Sequence, residues 1–81
     1  MTADAKEWLR EWFARKGPVP EPTVDYFETG ILDSLGAVGL VADIEKEFSV
    51  RFEDKHYRQP RFSTLAGLAG LIAELSAPAG R

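Results

Sequence analysis

Ser34, Asp33 beside it and His56, the only histidine of this 81-residue chain, are the side chains from which chemistry could be built. A serine nucleophile needs a base and a group that orients the base. His56 is the only candidate for the base, and it lies among the charged residues Glu53, Asp54, Lys55 and Arg58, where it reads as a solvated surface residue. The run Ile31-Leu32-Asp33-Ser34-Leu35-Gly36 also lacks the glycine two residues before serine that the strained nucleophile elbow of hydrolases requires. A small hydrolase using Ser34 and His56 is therefore the weakest reading. The chain has no cysteine, which excludes disulfides, thiolate metal sites and cysteine nucleophiles together. Any thiol used here must be imported. No glycine-rich phosphate loop follows a strand pattern, and no paired His or Asp spacing suggests a metal.

What remains is the Ser34 hydroxyl. A serine at the first position of a long amphipathic helix, after a structured loop, is exposed at an end of the domain. The unpaired amides and the positive dipole end of a helix start favour an anion there, so a phosphodiester on this oxygen is welcome. The competing reading is plain: Asp-Ser before an apolar run is a common helix cap.

The elements that position this serine can be read from periodicity and caps. Asp4 followed by Glu7 has the form of a capping box, and Ala5, Trp8, Leu9, Trp12 and Phe13 recur at helical spacing, so a first helix spans about Asp4 to Arg15. Gly17 and Pro18 stop it, and a long loop runs to Asp33, with Val24, Tyr26, Phe27, Ile31 and Leu32 as apolar anchors. A second helix begins at Asp33 or Ser34 and ends near Phe48, with Leu35, Val38, Val41, Ala42, Ile44 and Phe48 as its apolar face. Gly36 and Gly39 each cost it about 1 kcal/mol relative to alanine, so either another group comes close there or the helix start is loose. Val50 and Phe52 alternate with Ser49, Arg51 and Glu53 in an extended connection, followed by a minor helical turn from Asp54 to Gln59 that Pro60 ends. Ser63 or Thr64 caps a last helix to about Leu75, whose inner face is Leu65, Leu68, Ala69, Ile72 and Leu75; Gly67 and Gly70 weaken it slightly. The expected fold is all-α: three main helices plus one short helix, with a long first loop, in one domain over residues 1–81 whose last residues, from about 76, form a frayed tail.

Composition narrows the class. With 44% hydrophobic and 28% charged residues, the chain has the balance of a soluble domain, and no apolar run approaches the ~20 residues of a membrane span. The start, Met-Thr-Ala-Asp-Ala-Lys-Glu, has no secretory pattern, which points to the cytoplasm. The formal net charge of −3 is unevenly spread. Residues 21–54 hold Glu21, Asp25, Glu28, Asp33, Asp43, Glu45, Glu47, Glu53 and Asp54 against only Lys46 and Arg51. Such a middle region repels nucleic acid and attracts a basic protein surface, unless it is merely a solvated face.

The stretch Tyr26-Phe27-Glu28-Thr29-Gly30-Ile31-Leu32-Asp33-Ser34-Leu35, followed by Val38, Val41, Ile44, Glu45 and Phe48, resembles the acyl carrier and peptidyl carrier protein superfamily, and the order of elements extends the resemblance over nearly the whole chain. The resemblance implies that a phosphopantetheinyl transferase esterifies Ser34 with 4′-phosphopantetheine from coenzyme A, and that the thiol of this arm carries acyl or aminoacyl cargo. It also implies that Asp33, Leu35 and exposed residues of the second helix, with Gly36, Val38 and Gly39 among them, form the surface read by partner enzymes. Those partners are an adenylating or acyltransferase loading enzyme and downstream synthase or tailoring enzymes. Fatty-acid carriers are typically acidic just after the serine, where this chain has Gly36, Ala37 and Gly39. The Gly-Ile-Leu-Asp-Ser form resembles instead discrete carriers such as D-alanyl carrier proteins and freestanding carriers of natural-product pathways. The expectation is thus a monomeric freestanding carrier with no catalysis of its own, no nucleic acid partner and no membrane. The alternative is an unmodified helical adaptor that binds a protein through its acidic middle.

Overall fold

The computed structural model describes residues 4–76. Among them are helix α1 (Ala5–Lys16), helix α2 (Ser34–Phe48), a single turn α3 (Asp54–Tyr57), a 3-10 turn (Pro60–Ser63) and helix α4 (Leu65–Leu75). Of the tail expected from about residue 76, all but Ser76 lies outside the described residues. So does the N-terminal run Met1–Ala3 on which the absence of a secretory pattern was partly read.

Each helix starts where a short polar side chain can take an orphaned amide. Asp4 accepts from the Lys6 amide at 3.2 Å, Asp33 from Gly36 at 2.7 Å and Thr64 from Gly67 at 3.0 Å. At the N-terminus of α1 the carboxylate of Asp4 reaches the second helical amide, rather than the third amide that a capping box uses. Helix α2 ends at Ser49, which adopts the left-handed conformation that glycine more often supplies.

The core is one cluster drawn from α1, α2, α4, the 3-10 turn and the connecting segments. Leu9, Trp12 and Phe13 come from α1, Ala37, Leu40, Val41 and Ile44 from α2, and Leu65, Leu68, Leu71 and Ile72 from α4. Phe62 of the 3-10 turn closes it from the side, with Val50 and Phe52 from the connection after α2. Two side-chain contacts lock α1 to α2: the Trp12 indole donates to the Asp43 carboxylate at 2.8 Å, and Trp8 meets Phe48 edge-on with ring centres 5.4 Å apart.

The long loop is anchored at Asp25, Tyr26 and Gly30. Asp25 accepts from the amides of Phe27 and Glu28, forming a turn that Gly30 closes with a φ of 82°, a conformation glycine adopts at no steric cost. Tyr26 is fully buried, and all its polar groups are used. Its hydroxyl donates to the Phe62 carbonyl, its amide donates to Ser63 and its carbonyl accepts from Leu32. Burial, with a smaller contribution from Asp25, pushes the phenol well above its ordinary range, so it stays a neutral donor. The loop is thereby pinned to the 3-10 turn.

The structure corrects four sequence expectations. The buried stripe of α2 is Ala37, Leu40, Val41 and Ile44, whereas Leu35 and Val38, expected on the apolar face, are 82% and 70% exposed, and Ala42 is exposed as well. The α3 turn ends at Tyr57, and Pro60 opens a 3-10 turn instead of merely ending a helical one, because its fixed φ suits a first helical position. His56 is buried, with 7% of its surface exposed, and is not a solvated residue. Gly67 is a packing requirement and not a weak point: a Cβ there would lie 2.5 Å from the Arg61 carbonyl oxygen and 2.6 Å from its Cα, so the 3-10 turn crosses α4 at this glycine.

Candidate functional site

Ser34 is the first residue of α2, and it is exposed. Its position follows from its neighbours. Leu32 is buried and ends the pinned loop, Asp33 is the N-cap, and the backbone turns into the helix with the Ala37 amide bonded to the Asp33 carbonyl at 2.9 Å. The Asp33 side chain takes the Gly36 amide, so this carboxylate is occupied as a cap. The amides of Ser34 and Leu35 lie ahead of the first helical hydrogen bond, at the positive end of the helix dipole. An exposed hydroxyl next to such amides suits an anionic ester.

Two hollows flank this helix start. One, of about 330 Å³, is lined by Phe27, Ser34, Ala37, Val38, Val41, Tyr57 and Phe62. Its walls come from the loop, α2, α3 and the 3-10 turn, and apart from Ser34 and the Tyr57 hydroxyl they are apolar. Tyr57 packs edge-on to Phe62 with ring centres 5.2 Å apart, and Phe27 stacks on Phe62 at 6.1 Å. Partial burial, then Glu45 and Asp54, raise the Tyr57 phenol above its ordinary value, which keeps it protonated. The second hollow, of about 490 Å³, lies on the other flank between α1, the loop and α2, where Leu35, Gly36, Gly39 and Asp43 face Trp12 and Lys16. The Lys16 ammonium sits 5.1 Å from the centre of the Trp12 ring.

All five residues expected to face partners lie on the first turns of α2 or its cap. Leu35, Val38, Gly39 and Asp33 are exposed, and Gly36 is half-buried. The two glycines differ. A Cβ on Gly36 would meet the Leu32 methyl at 2.8 Å, so the loop packs against it, while at Gly39 a Cβ would meet nothing within 4 Å. Nothing in this chain's own packing explains Gly39.

Sequence reasoning did not find Phe27, Tyr57 and Phe62 as neighbours of Ser34. Their only signal was a cluster of aromatics in otherwise polar segments. The reading of Ser34 with His56 as a catalytic pair has no geometry behind it. The His56 Nδ1 accepts the Glu53 amide at 2.8 Å, and no hydrogen bond joins it to Ser34 among the described residues. Among these residues no three His, Asp or Glu side chains cluster as metal ligands, and no helix is long and apolar enough to cross a membrane.

The chain has no significant match among curated proteins or among solved structures. A family model described as the phosphopantetheine attachment site does match, and it spans residues 7–72, from α1 into α4 with Ser34 inside it. Covering most of the chain and agreeing with an all-helical fold around an exposed serine at a helix start, this match shows that the protein belongs to the family of phosphopantetheine attachment domains, the group that includes acyl and peptidyl carrier proteins.

Proposed function

We infer that Ser34 is the residue esterified by 4′-phosphopantetheine, and that the chain is a freestanding carrier shuttling acyl or aminoacyl groups between biosynthetic enzymes. The observation that carries the reading is the placement of Ser34 at the mouth of α2: exposed, ahead of the first helical hydrogen bond, and within the family match. The Ser34 and Leu35 amides favour the phosphodiester charge, Asp33 fixes the helix start by capping Gly36, and the pinned loop keeps the hydroxyl at a defined position. The arm supplies the thiol that a chain without cysteine lacks, and cargo is held on it as a thioester.

Asp33, Leu35, Gly36, Val38 and Gly39 form the surface that partner enzymes read. Leu35 and Val38 support this, because two large apolar side chains are left in water beside the attachment point although the core has room only for the opposite stripe. The absence of acids just after Ser34 supports a natural-product pathway, polyketide or nonribosomal peptide, over fatty-acid synthesis. The transferase, a loading enzyme and later synthase or tailoring enzymes are then the partners of a cytoplasmic monomer. The chain itself contributes no catalytic group.

Intact mass of the protein from its native host tests this, because the reading expects one arm per chain, with an acyl or aminoacyl group released as a thioester by hydroxylamine. A native protein of unmodified mass that still captures a partner enzyme is the result expected of the helical adaptor instead.

A further inference from the structure

His56 precedes Tyr57, the α3 residue that lines the hollow beside Ser34. His56 is buried against Phe52, whose ring meets the imidazole edge-on at 5.8 Å, and its Nδ1 accepts the Glu53 amide at 2.8 Å. A neutral imidazole accepting at Nδ1 carries its proton on Nε2. An imidazolium donates at both nitrogens, so a proton on Nδ1 and the Glu53 amide would face each other donor to donor. The two states exclude one another. The helix that depends on this bond is minimal: α3 has four residues, and its start is held by a reciprocal capping box, in which the Glu53 side chain takes the His56 amide and the His56 ring takes the Glu53 amide. We propose that His56 is a pH-sensitive latch, which in neutral form holds α3 closed against the pocket beside Ser34 and on protonation at Nδ1 lets that turn unwind.

The charged groups around His56 do not replace the lost bond. Glu74 of α4 is electrostatically coupled to the ring, but both its oxygens are held by Arg61 of the 3-10 turn at 2.7 and 2.9 Å. Glu45 of α2 faces the same connection and accepts the Phe52 amide at 2.8 Å. Glu53, Asp54 and Lys55 belong to the turn itself. The Nδ1 side remains occupied by the Glu53 amide. The consequence reaches the pocket through the next residue. Tyr57 is the part of α3 that lines the hollow, packed on Phe62 and Phe52. Unwinding α3 withdraws that wall, so acidification opens the hollow. That this exposes carrier cargo rests on the reading of Ser34 above, whereas the latch itself belongs to the unmodified protein.

The test uses the full-length unmodified chain, so its outcome is independent of pantetheinylation. Nitrogen-15 NMR at pH 7.5 should show His56 with its proton on Nε2. Titration to pH 5 should move the Glu53 amide and the Tyr57 ring signals together with the imidazole, and α3 amides should lose at least tenfold in protection after correction for intrinsic exchange. His56→Gln keeps an acceptor at the third helical position but has no proton to gain in this range. It should hold α3 with a flat pH response. The proposal is overturned if the neutral ring carries its proton on Nδ1, if the imidazole titrates while the Glu53 and α3 signals stay still, or if His56→Gln shows the same acid response. The tautomer measurement on wild-type protein decides the matter even where the variant does not fold.

Discussion

Two faces of one helix divide the work of this protein. On the inner face of α2, Ala37, Leu40, Val41 and Ile44 are buried in the common core, and Leu40 and Ile44 have no exposed surface. On the outer face, Leu35 and Val38 stand in water on either side of the first turn, with the backbone of Gly39 bare beside them. Both faces are apolar, so hydrophobicity alone does not tell which is structural. The inner side chains are held by α1 and α4, while the outer ones flank an exposed hydroxyl at a helix mouth. The comparison teaches that apolar residues here serve two ends, stability on one side and recognition on the other, and that each can be removed without the other.

Truncation is the strongest way to break the comparison. Leu40→Ala or Ile44→Ala should cost about 2–5 kcal/mol by denaturant unfolding, the range for emptying a packed core position. Leu35→Ala and Val38→Ala should stay within about 0.5 kcal/mol of wild type, as exposed substitutions do. If instead the outer pair destabilises as much as the inner pair, the division of the faces is wrong. Next in size is Gly67→Ala, whose added carbon meets backbone of Arg61 that cannot swing away. A loss of about 1–3 kcal/mol is expected in thermal or denaturant melts. Tyr26→Phe should follow with about 1–2 kcal/mol, because the buried Phe62 carbonyl loses its partner.

The glycines of the outer face sharpen the comparison at smaller scale. Gly39→Ala should stabilise by up to about 1 kcal/mol, since the added methyl finds open space on an exposed helix position. Gly36→Ala should gain less, because Leu32 must shift to admit it. A stabilised Gly39→Ala that transfers cargo poorly would locate a partner contact at this bare stretch of backbone. Smallest is the surface pair of Arg61 and Glu74. The hydrogen bond and charge of Arg61 hold the Glu74 carboxyl below its ordinary value of 4.5. The stability it adds is therefore present above about pH 4.5 and is lost as pH falls further. Glu74→Gln should remove only that acid-side slope, and added salt should reduce it in the wild type.

Much of this architecture was legible in the sequence, because helix ends are written in local chemistry. Asp4 caps the helix it was expected to cap, Thr64 proves to be the cap of α4 out of the candidates Ser63 and Thr64, Asp33 caps the helix whose start was placed at Asp33 or Ser34, and Gly17 and Pro18 end α1. The phase of α2 was not legible. Leu35, Ala37, Val38, Leu40, Val41, Ala42 and Ile44 leave it apolar almost all round, and only the packing of α1 and α4 selects the inner stripe. His56 was misread because Lys55 and Arg58 point to solvent, while the ring between them turns inward to cap its own helix. Ser34 could be singled out from its neighbours in the chain. The aromatic wall beside it could not, because Phe27, Tyr57 and Phe62 lie on three segments brought together only by the pinned loop and the crossing at Gly67.

The central claim is that the Ser34 oxygen is the attachment point, and it is tested most directly by mapping the modified atom. After incubation with coenzyme A and a broad-specificity phosphopantetheinyl transferase, trypsin releases the segment between Lys16 and Lys46, in which Ser34 is the only serine. Tandem mass spectrometry should find one arm on that segment, with fragment ions placing it on Ser34, and Ser34→Ala of unchanged melting behaviour should remain bare. A folded wild-type chain that stays unmodified, or an arm that persists in Ser34→Ala, would contradict the account.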